Sequence, residues 1–459
     1  MKRDKLLVKS ILVIFALIVI VTGYKILAVS QELEKIVPEN IEFGKNVSKN
    51  NSEDFEKEPP LEFIDDILII RNLDKELIQQ KIEQGREYLF RMIDRNENGV
   101  HKYYYALTDS FEDRLHTIYT STLIYALLKI YDLEKDNSLL EQALKSTEFI
   151  LSMQNKEKGT KGYGAFYYSY FLDNKEKEKK FVVGTTSKTI FTLLKLYELT
   201  GDSKYLESAK LGADWLTTMQ EPDGSMKSYI RYDARDGKWV YGTKESLLYN
   251  GQVLSALSKI YIVTGEKKYY DIAEKIAQRF ARKYEEAGRN YIVGEYRSKN
   301  PISNSWAVMS FIDFYRASGD EYYKEVIFEL SGLILKNQKT NPDNILEYGQ
   351  WKGAYSTSGI GWICEVITET HELCRKEGRD DCDKYKKAVV MGIRWLIQNT
   401  YSKENSSFLE NPERAIGGLF WNKENKYVRT DSVAHALNGY VGIINYLEEG
   451  LLLSIPKSP

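Results

Sequence analysis

The sequence predicts an all-α fold: an (α/α)6 toroid of six helical hairpins, closed by pairing of the first and last helices and preceded by one N-terminal transmembrane helix. Three observations predict it. Four segments align without gaps: LLKIYDLEKDNSLLEQA (127–143), LLKLYELTGDSKYLESA (193–209), LSKIYIVTGEKKYYDIA (257–273) and FIDFYRASGDEYYKEVI (311–327). A longer fifth copy is HELCRKEGRDDCDKYKKAV (371–389). Two further helices, at about 77–93 and 432–447, fall outside these five hairpins and can pair as a sixth.

Each copy ends one helix, crosses a short turn of the Gly-Asp or Lys-Asp kind, and enters a second helix. Residues 247–284 show the unit most clearly. Val253, Leu254, Leu257 and Ile260 recur at helical spacing, and Gly265 follows as a C-cap glycine would. Tyr269, Ile272, Ala273, Ile276, Ala277 and Phe280 form the apolar face of the second helix. One hairpin cannot bury these faces alone. The copies start 66, 64 and 54 residues apart, so the hairpins are regular and the joining segments are not. Several second helices end alike, in SMQN (152–155), TMQE (218–221), KNQK (336–339) and IQNT (397–400). An open solenoid would want polar capping helices at its ends. The first unpaired helix instead carries Leu77, Ile78, Ile82, Leu89 and Phe90, and the last carries Val433, Leu437, Val441, Ile443 and Ile444. Both suit burial in a closed ring.

Residues 1–5 read as a cytoplasmic tip, 6–29 as a transmembrane signal anchor, 30–62 as a flexible linker and 63–459 as the toroid. Only Lys9 and Ser10 interrupt the apolar run from 6 to 21, and Lys2, Arg3, Lys5 and Lys9 keep the N-terminus inside. A cleaved signal peptide ending near Ala28-Val29-Ser30 is the alternative. Either places the body outside the cytoplasm, and the anchor makes it a single-pass protein of the cell membrane. The linker is polar, with Pro59-Pro60 near its end.

The net charge of −2 argues against a dedicated nucleic-acid binder, which would normally show a basic stripe. The chain is 43% hydrophobic, enough for a large core. Thirty-four tyrosines, many in loops, offer apolar faces with hydroxyls, as sugar clefts do. Cys374 and Cys382 flank one hairpin turn; they read as a disulfide in an oxidising compartment or as two free thiols, and match no zinc spacing. Cys364 sits in an apolar helix, as a core residue. No phosphate loop, zinc motif or nucleophile elbow is present, and neither metal nor cofactor is expected.

Aligning the first helices of the hairpins places Thr122, Lys188, Gln252, Trp306 and Trp362 at one equivalent position, with His435 within two residues of that row. Such a row suits the wall of a cleft; the alternative is that Trp306 and Trp362 plug the barrel. Asp431 and His435 are i and i+4 on one helix face, with Arg429 just before them, although Asp431 or Thr430 also reads as a helix cap. The candidate acid–base residues are His435, Asp431, His116 and Glu245, the last placed where an acid also favours the helix dipole. The candidate substrate contacts are Arg114, Lys188, Gln252, Glu295, Arg297, Trp306, Glu347, Trp362 and Arg429. Glu365, one turn inside Trp362, needs a partner, expected to be Lys or Arg.

From about 65 to 449 the chain resembles the six-hairpin glycosidase-like superfamily. That group holds glycoside hydrolases and the N-acylglucosamine 2-epimerase type, and the helical domain of glucuronyl C5-epimerases is similar. The resemblance implies an enzyme acting without a cofactor on a poly- or oligosaccharide in the lumen cleft, by epimerisation, elimination or hydrolysis. Hydrolysis needs two carboxyl groups at a set separation. A uronate lyase or epimerase needs a Tyr, His or Lys base and an Arg. No carboxylate pair stands out here. The competing expectation is a non-catalytic envelope protein that binds a glycan or partner on the same toroid.

Overall fold

The computed structural model describes residues 61–242, 244–293 and 300–457. The expected membrane anchor and all but the last two residues of the expected linker lie outside these residues, as do Glu295 and Arg297. Among the described residues, no helix is long and apolar enough to cross a membrane.

The described chain holds twelve long helices: α1 (Lys75–Arg91), α2 (Thr117–Glu134), α3 (Asn137–Ser152), α4 (Val183–Thr200), α5 (Ser203–Thr217), α6 (Leu247–Thr264), α7 (Lys267–Glu286), α8 (Pro301–Ser318), α9 (Glu321–Lys336), α10 (Thr357–Lys376), α11 (Asp383–Gln398) and α12 (Thr430–Ile444). The even-numbered helices pack side by side in the order α2, α4, α6, α8, α10, α12, and α12 returns to α2. This is a closed inner ring. Helices α3, α5, α7, α9 and α11 each pack outside the helix they follow, and α1 packs on α12 as the sixth outer helix. The two helices that lay outside the repeat therefore close it. A strand at Leu451–Ser454 then pairs antiparallel with Asn72–Asp74, tying the C-terminal end beside the start of α1.

The repeated turn has a physical cause. Inner helices α4, α6 and α8 end on Gly201, Gly265 and Gly319, all at φ of 68–69°, where a side chain would be strained. The acids Asp202 and Asp320, next in sequence, accept from backbone N–H groups and so cap α5 and α9. Lys135-Asp136 makes the same turn, with Lys135 in the left-handed region at φ 57°. The glutamine shared by the outer helix ends is also structural. Gln154, Gln220 and Gln338 donate to Ser208 O, Ile272 O and Ala388 O, each on the next outer helix. Each glutamine thus staples neighbouring hairpins together.

The irregular segments gather at the end where the inner helices begin. Strands at Arg114–His116, Lys180–Val182 and Val428–Arg429 run directly into α2, α4 and α12. A hairpin of Tyr229–Asp233 with Lys238–Gly242 adds to the Lys180–Val182 strand. Cys374 and Cys382 form a disulfide across the α10–α11 turn, and Cys364 is buried, where burial pushes its thiol pKa up.

Candidate functional site

A cavity of about 230 Å³ opens into the lumen at the loop-bearing end. The aligned row Thr122, Lys188, Gln252, Trp306, Trp362 and His435 all line it, one residue from each inner helix. The row meets because each side chain sits at the same phase of an equivalent helix. Trp306 and Trp362 stack with ring centroids 3.6 Å apart and planes 17° off parallel. Each ring covers a face of the other and both are buried, with His435 edge-on to Trp362 at 5.1 Å. Lys188 lies over both rings, its Nζ 5.1 Å from the Trp306 centroid and 4.9 Å from that of Trp362.

Two charged groupings define the chemistry. The first is a dyad: His435 Nδ1 lies 2.7 Å from Glu365 Oε2. Burial pushes the Glu365 pKa up, but the facing His435 outweighs it, and the net pKa lies below the usual carboxylate value. A carboxylate accepts, so Nδ1 carries a proton in this bond, and Nε2 is the ring nitrogen turned away from Glu365. The expected Lys or Arg partner of Glu365 is instead this histidine. The second grouping is Arg429 with Asp431. Arg429 Nε donates to Asp431 Oδ1 at 2.9 Å, its Nη2 bonds Oδ2, and Ser358 Oγ donates to Oδ2 at 2.9 Å. Arg429 also donates to Tyr119 Oη at 3.1 Å and lies over Trp421, 4.5 Å from the centroid. Burial raises the Asp431 pKa and Arg429 lowers it, with a net depression. Asp431 does not cap α12; Arg429 stands at the N-cap position with no side-chain cap bond, and Thr430 Oγ1 donates to His101 O. Tyr119, Tyr168 and Tyr249 complete the polar wall.

The structure places the other expected site residues elsewhere. His116 is buried in the wall, 3.1 Å from Glu112 and edge-on to Tyr119 and Tyr168, which separate it from the cavity. Burial lowers its pKa, against the pull of Glu112. Arg114 is partly exposed and stacks on Phe171, outside the lining residues. Glu245 is bound by Arg279 and Lys283 of α7 at 2.7–3.1 Å. Those cations hold its pKa down against burial. Glu347 pairs with Lys339 at 2.6 Å in the loop after α9. Each of these loop acids points to a cation of its own hairpin or the next, a pairing that spacing in sequence does not reveal. Conversely, Tyr119 and Ser358 were missed. Tyr119 and Ser358 sit one turn ahead of Thr122 and Trp362 on the same inner faces, so the repeat register could have found both.

No protein-family model matches the chain, and no curated protein does. Solved structures do. A cellobiose 2-epimerase from Bacillus thermoamylovorans superposes with a TM-score of 0.62 at 12% identity, covering 81% of this chain and 99% of the epimerase. An unsaturated glucuronyl hydrolase specific for heparin gives 0.60 at 12%, covering 81% and 98%. An inactive variant of an α-1,6-mannanase from Salegentibacter, in complex with α-1,6-mannotriose, gives 0.56 at 12%, covering 80% and 99%. The fold they share with this chain is a closed (α/α)6 toroid. At this identity the likeness establishes architecture, and chemistry rests on the cavity.

Proposed function

We propose that this toroid is a carbohydrate-active enzyme that moves a proton on a sugar, by epimerisation, isomerisation or elimination. The observation that carries the reading is the His435–Glu365 dyad at the cavity. A base oriented by a carboxylate is the part such a reaction needs. Two-carboxylate hydrolysis has less support. Among the described lining residues Asp431 is the one carboxylate, and Arg429 and Ser358 already occupy it. The cavity is smaller than the roughly 300–1,000 Å³ of drug-sized sites, which suits one sugar ring or a chain end. His435 Nε2 would take the proton from carbon, and Arg429 or a tyrosine hydroxyl would steady the oxygen that gains charge.

The N-terminal apolar run with its flanking lysines supports a membrane anchor, and the Cys374–Cys382 disulfide supports an oxidising, extracytoplasmic setting for the body. The test of the reaction class is NMR in D2O with a panel of aldoses, uronates and their disaccharides. Carbon-bound deuterium, or a new stereoisomer, is expected with the wild type and not with His435→Ala. Release of a reducing sugar with no solvent deuterium on carbon would overturn proton transfer in favour of hydrolysis. Binding with neither would leave a glycan-binding module.

A further inference from the structure

The inner helices carry charge at two levels, and the pairings can be followed one by one. At the deeper level Lys259 binds Asp313 at 2.7 Å, while Lys129 and Arg316 bind Glu369 at 3.2 and 3.1 Å. At the upper level Arg429 is taken by Asp431 and Glu365 by His435. Lys188 remains. Among the described residues its ammonium makes no hydrogen bond or ion pair and has only the rings of Phe191, Trp306 and Trp362 close to it. Glu365 acts on it across the lumen without direct contact. Lys188 is 8% exposed and lines both this cavity and a smaller one below it, which Asp313, Glu365 and Glu369 share.

A cation in that position is expensive in free energy unless it is paired. The polar atoms around it are short of partners too. Gln252 Oε1, Thr185 Oγ1 and Trp362 Nε1 are buried without a hydrogen bond among the described residues, and all three residues line the same cavity. Thr185 precedes Lys188 by one turn of α4, and Gln252 stands beside it in the inner row on α6. One side of the cavity therefore holds two unpaired donors, the Thr185 hydroxyl and the Trp362 indole N–H, with the Gln252 amide and one ammonium. The opposite side, with Arg429 already neutralised by Asp431, attracts no anion of its own.

We propose that the cavity takes a monoanionic sugar, whose single acidic group is held by the Lys188 ammonium with the Thr185 hydroxyl and the Gln252 amide. This rests on the carbohydrate reading above and names its substrate class. The acidic group sets the ring's orientation in the cavity and so decides which carbon faces His435. A carboxylate on the sugar and a sulfate ester share this chemistry, and the experiment separates them.

The test is binding by ligand-observed NMR or calorimetry with D-glucuronate, glucose 6-sulfate and D-glucose on the wild type and Lys188→Met. Charge-assisted hydrogen bonding predicts that at least one anion binds the wild type about tenfold or more tighter than glucose, with higher salt narrowing the gap. Lys188→Met should erase that preference, so that the anions bind the variant no more tightly than glucose binds it. Preference for glucuronate assigns a carboxylate ligand, and preference for glucose 6-sulfate a sulfate ester. Equal binding of anions and glucose overturns the Lys188 assignment while the carbohydrate reading stands. Binding of none of the three overturns both. If Lys188→Met fails to fold, Lys188→Gln takes its place; a preference that survives in the folded variant also overturns the assignment.

Discussion

The two halves of the lumen are built from the same six helices yet solve opposite problems. About two turns, or roughly 10 Å, below the cavity row, Lys129, Lys259, Asp313, Arg316 and Glu369 form a closed set in which each charge has an opposite partner. Ser255 adds a further bond to Asp313. The cavity row above it leaves Lys188, the Gln252 amide oxygen and the Trp362 indole N–H unpaired. A satisfied buried network specifies one packing of the ring, and an unsatisfied one waits for a ligand. Position on the helix therefore does not separate structure from function here, whereas completeness of pairing does.

The comparison can be broken most sharply at its upper half. His435→Ala should lower turnover by about 10²–10⁴-fold with the helical circular dichroism unchanged, measured as deuterium incorporation. Retained turnover would remove the dyad from the chemistry. Next in size is Asp313→Ala in the lower half, which strands Lys259 beside a weakened Arg316. The expected loss is about 3–5 kcal/mol in urea unfolding, with sugar affinity unaltered if the variant is assayed well below its midpoint. A change in affinity without loss of stability would erase the division between the halves.

Acid sharpens the same division. Burial opposes ionisation of Glu369, but Lys129 and Arg316 win and hold its pKa at about 2. Its folded pKa is depressed, so its stabilisation is present above the unfolded value near 4.3 and is lost as pH falls toward 2. The amount is about 3 kcal/mol. Glu369→Gln should lower stability at neutral pH and flatten the stability profile between about pH 4.5 and 2. The smallest effect concerns neither half. Replacing Cys374 and Cys382 by Ser should cost about 2–3 kcal/mol from the short loop they close, and sugar binding should persist.

The repeat made much of the site legible. Helix phase is local and periodic, so aligning the hairpins carried Thr122, Lys188, Gln252, Trp306, Trp362 and His435 to one level, and all six line one cavity. Loop residues carry no such register. Arg114, His116, Glu245 and Glu347 lie in or beside irregular segments, and their partners Phe171, Glu112, Arg279 and Lys339 could not be ranked by spacing. The shared glutamines were visible as a motif, but their bonds to the next outer helix required the hairpins to be side by side.

Sequence alone determined the hairpins, their closure and the row that faces the lumen, because turn residues and apolar periodicity act over a few residues. Tertiary structure alone decided who pairs with whom. Glu365 is 70 residues from His435, and Asp313 is 54 from Lys259. Those contacts depend on how adjacent inner helices rotate and shift against one another. That packing turned an even supply of charges into one half that is complete and one half that is open.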